Sequence, residues 1–214
     1  MKYGESAFDI IYLAFALVCG AIMLKKAHTR TGRLMGVSAI VLGLGDAFHL
    51  VPRVLNYFTE ADLTAWLGIG KLVTSVTMTA FYVLLYYVCL GFYGREEKKP
   101  VTCAVWALAV VRTALCLFPQ NGWLTNESPL LWSVLRNIPF IALGALLIVL
   151  WFRPRLTRER LRLTWLWMLL SFAFYIPVAL FAGLWPMLGM LMLPKTVCYM
   201  IMLWTFTRYV TEES

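Results

Sequence analysis

Acidic residues are scarce in this chain, 11 against 19 Lys and Arg, and charged residues of either sign make up only 14% of its 214 positions. A soluble domain of that length needs far more polar surface, so the composition excludes one. Histidine is nearly missing, with His28 and His49 alone, and the five cysteines (Cys19, Cys89, Cys103, Cys116, Cys198) form no Cys-x-x-Cys pair. Neither a metal site of His or thiolate ligands nor a disulfide framework is expected, and no cofactor is implied. Alternating ten-residue apolar segments, the mark of a transmembrane β-barrel, are absent. Low-complexity stretches and long loops are also lacking, which leaves binding and chemistry to the helices and their ends.

What is present is 61% apolar residues at a mean hydropathy of +0.76, gathered into blocks of helix length. Seven spans are expected, at about 7–24, 34–57, 63–90, 101–118, 130–152, 163–184 and 187–208. Each approaches the ~20 residues that cross ~30 Å of hydrocarbon. The last two should form a hairpin turning tightly around Trp185, Pro186 and Met187. The fold class is therefore an all-α integral membrane protein, a single transmembrane domain over residues 1–214, with the lipid bilayer as its first partner.

The net charge of +8 is distributed unevenly. Lys25, Lys26, Arg30 and Arg33 lie in the first connection, Arg95, Lys98 and Lys99 in the third, and Arg153, Arg155, Arg158, Arg160 and Arg162 in the fifth. The alternate connections carry Glu60, Asp62 and Glu127 and no Lys or Arg. The positive-inside bias then puts the N-terminus outside and the C-terminus in the cytoplasm, in a multi-pass protein of the plasma membrane. Because basic inner loops account for the charge, no nucleic-acid partner is expected. Glu5 and Asp9 ahead of the first span, with the basic cluster behind it, argue against a cleavable signal peptide. Gly-bearing faces on the first two spans leave open both packing within the bundle and packing between protomers of a homo-oligomer.

Segments of the first three spans reappear in the last three at an offset of 124 to 126 residues. Gly20-Ala21-Ile22 answers Gly144-Ala145-Leu146, and Ala47-Phe48-His49-Leu50 answers Ala173-Phe174-Tyr175-Ile176, each of the latter followed closely by Pro52 or Pro177. Lys71 and Val73 answer Lys195 and Val197. Repeats over about 7–90 and 130–208, joined by a linking helix at 101–118, would be parallel and related by an axis along the membrane normal. This 3+1+3 layout resembles that of the SWEET, PQ-loop and KDEL-receptor group, whose motifs are missing here. Chance recurrence of short apolar words is the competing explanation.

Five cations, Arg53, Lys71, Arg112, Arg136 and Lys195, fall inside the expected spans, in the half facing away from the cytoplasm. Each costs at least ~2.5–3.5 kcal/mol in hydrocarbon, so five at matching depth point to a hydrated or anion-filled cavity. Asp46, His49 and Arg53 stand at i, i+3 and i+7 and share one helical face. Tyr175, the repeat partner of His49, adds a hydroxyl beside Pro177. The candidate ligand-binding set is therefore Asp46, His49, Arg53, Lys71, Arg112, Arg136, Tyr175 and Lys195. Arginine suits forked pairing with carboxylate or phosphate, and lysine acts as a point charge. Snorkelling is the bland alternative for the lysines, and interfacial anchoring for Arg53 and Arg136.

The stretch Leu44-Gly45-Asp46-Ala47-Phe48-His49-Leu50 resembles the Gly-Asp helix of the YhhN-like lysoplasmalogenase membrane family. That resemblance implies an ether-lipid hydrolase with Asp46 as a catalytic residue. Ser171-Phe172 stands where the family has Ser-Asp, Val76 or Thr77 where it has a histidine, and seven spans where it has eight.

Three functions follow. The leading one is a transporter or binding protein for a small anionic solute, entering from outside at a cationic site between helix triplets. An intramembrane lipid-modifying enzyme is the second, with Asp46 and His49 as acid–base pair and the cations holding a lipid headgroup. A seven-helix receptor or sensor is the third.

Overall fold

The computed structural model describes residues 2–157, 159–181 and 185–213. Arg158 of the fifth connection and residues 182–184, the expected end of the sixth span, lie outside the described residues. Seven helices are long and apolar enough to cross a membrane. They are α1 (Lys2–Lys26), α2 (Arg30–Phe58), α3 (Thr64–Tyr93), α4 (Lys99–Leu117), α5 (Leu130–Phe152), α6 (Thr164–Phe181) and α7 (Met192–Glu213).

Local chemistry sets their ends. Thr29 caps α2 by accepting from the Gly32 amide at 3.1 Å. Gly94, at a φ of 60°, supplies the left-handed residue that ends α3. Asp62 stands ahead of α3 and accepts from the Thr64 amide at 3.0 Å. A contact from the Thr64 hydroxyl, and after it this one from the amide, holds the Asp62 carboxyl below the usual carboxylate range.

The last apolar span runs Met187–Glu213, starting where the sequence puts it. Its first residues lie in a 3-10 segment, Pro186–Leu191, and the α-helix proper begins at Met192. Proline at 194 is tolerated in the first helical turn, where a missing N–H leaves no helical bond unmade. Lys195 therefore stands in the first turn of α7 and still lies some eight residues inside the apolar span.

Successive helices pack on one another around the bundle, and α7 closes the ring against α1. An ion pair between Glu5 and Arg53 joins the start of α1 to the end of α2, and one between Arg160 and Glu212 joins the α5–α6 connection to the end of α7. The start of α1 and the α2–α3, α4–α5 and α6–α7 connections thus share one end of the bundle, termed here the upper end.

Two glycines bring α2 and α3 into backbone contact. A Cβ on Gly70 would overlap the Phe48 carbonyl, and one on Gly45 would overlap the Thr77 side chain. Small residues at a crossing allow this approach where helices pack without a hydrophobic driving force. Gly43 instead faces Ala16 and Leu17 of α1.

Helix α3 also packs on α4 and α5, and its lower half carries much of the core: Phe81, Tyr82, Leu85, Tyr86 and Phe92 are all buried. Trp151 stacks between Phe92 and Phe206. One layer higher, Tyr82 meets Phe140 and Phe172 edge to face, and its hydroxyl lies 3.1 Å from that of Tyr199. The two cavities described below lie above this aromatic layer.

Candidate functional site

Helix α1 and helix α2 oppose two polar stripes. Tyr12 donates to Asp46 Oδ2 at 2.6 Å, and Arg53 donates to Glu5 Oε2 at 2.9 Å. Glu5 and Tyr12 are seven positions apart, as are Asp46 and Arg53, so one antiparallel register holds both pairs. The same register sets Asp9 across from His49. Between them the contact is open: buried Asp9 Oδ2 and His49 Nδ1 have no hydrogen-bond partner among the described residues. A cavity of about 130 Å³ lies there, lined by Glu5, Asp9, Asp46, His49, Arg53 and Lys195 together with the hydroxyls of Thr74 and Thr196.

A second cavity, of about 600 Å³, adjoins the first, and the two share His49, Thr74, Met192 and Lys195. Lys71 and Ser75 come to it from α3, Arg112 from α4, Arg136 and Asn137 from α5, Tyr175 from α6 and Lys195 from α7. The α4–α5 connection covers its rim with Trp123, Glu127 and Ser128. Four cations therefore face one carboxylate, that of the exposed Glu127. None of the ion pairs among the described residues includes Lys71, Arg112, Arg136 or Lys195.

Each cation is held differently. Arg112 is 3% exposed, and its guanidinium lies 3.2 Å over the Phe140 ring, with Nε and Nη1 unpartnered among the described residues. Arg136 lies over the Trp123 ring at 4.5 Å and donates to Asn121 Oδ1 at 2.8 Å. Asn121 in turn donates to the carbonyls of Leu115 and Phe118, each at 2.8 Å, and so ties the connection to the end of α4. Lys195 Nζ is 4.9 Å from the Tyr175 ring centroid and 5.5 Å from that of Tyr199. Cation–π contact is a partial substitute for a counter-ion, since an aromatic face carries no net charge. Tyr175 donates to Asn137 Oδ1 at 2.6 Å, and Asn137 donates to the Ser133 carbonyl at 2.8 Å. This chain orients both side chains along the cavity wall.

All eight residues expected from the sequence line one or other of these cavities. They are not a single group, however. Asp46 and Arg53 belong to the smaller cavity, Lys71, Arg112, Arg136 and Tyr175 to the larger, and His49 and Lys195 to both. Arg53 is corrected further, because Glu5 and not an incoming anion balances its charge. Sequence reading missed Tyr12, Trp123, Asn121 and Asn137. The spacing of Glu5, Asp9 and Tyr12 at i, i+4 and i+7 was a legible signal for the α1 stripe. Nothing in the sequence marked Trp123, whose indole reaches the site through a fold of the connection.

Among the described residues no group of three His, Cys, Asp or Glu is placed to hold a metal ion. Comparison of the chain with protein-family models, with curated proteins and with solved structures returns no match in any of the three. The function has to be argued from the cavities themselves.

Proposed function

We propose that the chain is a membrane transporter or binding protein for a small anion bearing a carboxylate or phosphate group. The larger cavity is its binding site. The observation that carries this reading is the set of four cations on one cavity without an ion-paired carboxylate among the described residues, led by the 97%-buried guanidinium of Arg112. Removing a charge from water costs several kcal/mol unless a counter-charge and hydrogen bonds replace the solvent. An oxyanion can supply both, accepting a charge-assisted hydrogen bond from Arg112, whose Nε and Nη1 have no partner among the described residues.

By the positive-inside bias the upper end faces outward, so the anion enters from outside beneath the α4–α5 connection. Lys71 and Lys195 are read as the equivalent residues of two parallel helix triplets, with α4 between them. Movement of one triplet against the other would then expose the site to either side.

The test uses the full chain in detergent and follows its melting by tryptophan fluorescence with phosphate, acetate and citrate. An anion at a hundred times its Kd stabilises the protein by ~2.7 kcal/mol. The expected result is a concentration-dependent rise in melting temperature that Lys71→Ala and Lys195→Ala both lose. Melting unmoved by every anion overturns the reading. Flux of the stabilising anion into proteoliposomes then separates a transporter from a binding protein.

A further inference from the structure

The smaller cavity has the opposite character to its neighbour. Its three carboxylates, Glu5, Asp9 and Asp46, face Arg53 and Lys195. Glu5 is taken by Arg53. Asp46 accepts from Tyr12 through Oδ2 and joins no ion pair among the described residues. Asp9 is 95% buried, lines the cavity and leaves Oδ2 unpartnered. Lys195 faces Asp46 and offsets part of its charge, while its ammonium also lies toward the rings of Tyr175 and Tyr199. A cavity with more carboxylates than cations thus adjoins one with more cations than carboxylates, the two sharing His49, Thr74, Met192 and Lys195.

Setting an excess of one sign beside an excess of the other is costly for a bundle that could have balanced them. It is complementary to a ligand that carries both. Resting on the anion-binding reading above, we infer that the ligand is a zwitterion, with its acid group in the larger cavity and a primary ammonium in the smaller one. An ammonium has three N–H donors, and the smaller cavity sets the carboxyl groups of Asp9 and Asp46 in its wall to receive them, with the ring of His49 beside them. About 130 Å³ admits such a head group and little more.

The experiment compares matched probes on the detergent-solubilised full chain, by thermal shift and calorimetry. γ-Aminobutyrate is set against butyrate, β-alanine against propionate, and phosphoethanolamine against ethyl phosphate. At least one amine-bearing probe should bind about tenfold or more tightly than its amine-free counterpart, as a charge-assisted hydrogen-bonded head group requires. Asp9→Asn should erase that difference and leave the amine-free anion bound as before. Asp46→Asn is the second variant, read by the same ratio of affinities so that a general loss of stability does not decide the outcome. If every pair binds equally, or if Asp9→Asn and Asp46→Asn both keep the preference, the zwitterion inference is overturned while anion binding stands. If sodium or potassium added with butyrate reproduces the gain from the amine, the smaller cavity serves an inorganic cation and the inference is overturned. Binding of no probe at all overturns the underlying reading as well.

Discussion

The guanidinium of Arg112 lies over the ring of Phe140, 3.2 Å from its centroid, and the residue is buried. The ring holds the cation in place, and Nε and Nη1 have no hydrogen-bond partner among the described residues. A residue kept in this state is retained at a cost to stability. Arg112→Met should therefore leave the ligand-free protein as stable as the parent or more so, by up to about 1–4 kcal/mol, as replacement of buried charges by apolar residues does elsewhere. The same variant should lose anion-dependent stabilisation. Thermal melts with and without anion check both halves, and a variant that is less stable and still binds would assign Arg112 a structural role.

Tyr12 and Asp46 form a buried contact between helices at 2.6 Å. Tyr12→Phe keeps the ring and removes the donor, and should cost about 1.5–3 kcal/mol, the range for hydrogen bonds to charged groups. Together with Asp46→Asn it should behave non-additively, with a coupling of about 0.5–3 kcal/mol in a double-mutant cycle. Additive losses would show that the two side chains do not act on one another.

The close approach of α2 and α3 depends on Gly70, where an added Cβ meets the Phe48 carbonyl and lies 2.7 Å from His49 Cα. Backbone has no rotamer by which to yield. Gly70→Ala should separate the helices at the level of His49, lowering stability by about 1–3 kcal/mol or more and weakening the ligand response. Gly4→Ala, with nothing within 4 Å of its added Cβ, is the control and should melt as the parent does.

The Asn121 side chain donates to the carbonyls of Leu115, Cys116 and Phe118 and accepts from Arg136. Asn121→Ala should free the α4–α5 connection and increase hydrogen exchange over residues 119–129, with α1 and α2 unaffected. Unchanged exchange there would mean that Trp123, which donates to the Cys116 carbonyl at 2.8 Å, is sufficient to hold the connection.

Orientation is open to a direct check. In a background without the five native cysteines, Glu60→Cys should react with a membrane-impermeant thiol reagent added to intact cells, and Glu96→Cys should react only after lysis. The reverse pattern would invert the orientation inferred from the loop charges.

Much of this architecture is written locally. Apolar blocks of helix length locate the seven helices, because crossing hydrocarbon demands continuous apolar sequence with every backbone group bonded within the segment. Ionisable residues inside such blocks, such as Lys71, Arg112 and Lys195, mark the cavity walls, because a charge is kept there only where something polar faces it. Helix ends were less legible. Pro186 and Pro194 read as punctuation, yet whether a proline closes a turn or opens a helix depends on the residues packed around it, and α7 starts at Met192.

The sequence by itself determined the helical class, the spans and eight of the residues that line the two cavities. Tertiary structure alone decided how those residues divide. The Glu5–Arg53 pair, the Tyr12–Asp46 contact and the gap between Asp9 and His49 arise from the register of α1 against α2. The gathering of Lys71, Arg112, Arg136 and Lys195 on one wall arises from helices far apart in the chain. Spacing along a helix says which side chains share a face. Which face meets which is a property of the packed bundle, and that packing sets one cavity cationic and its neighbour acidic.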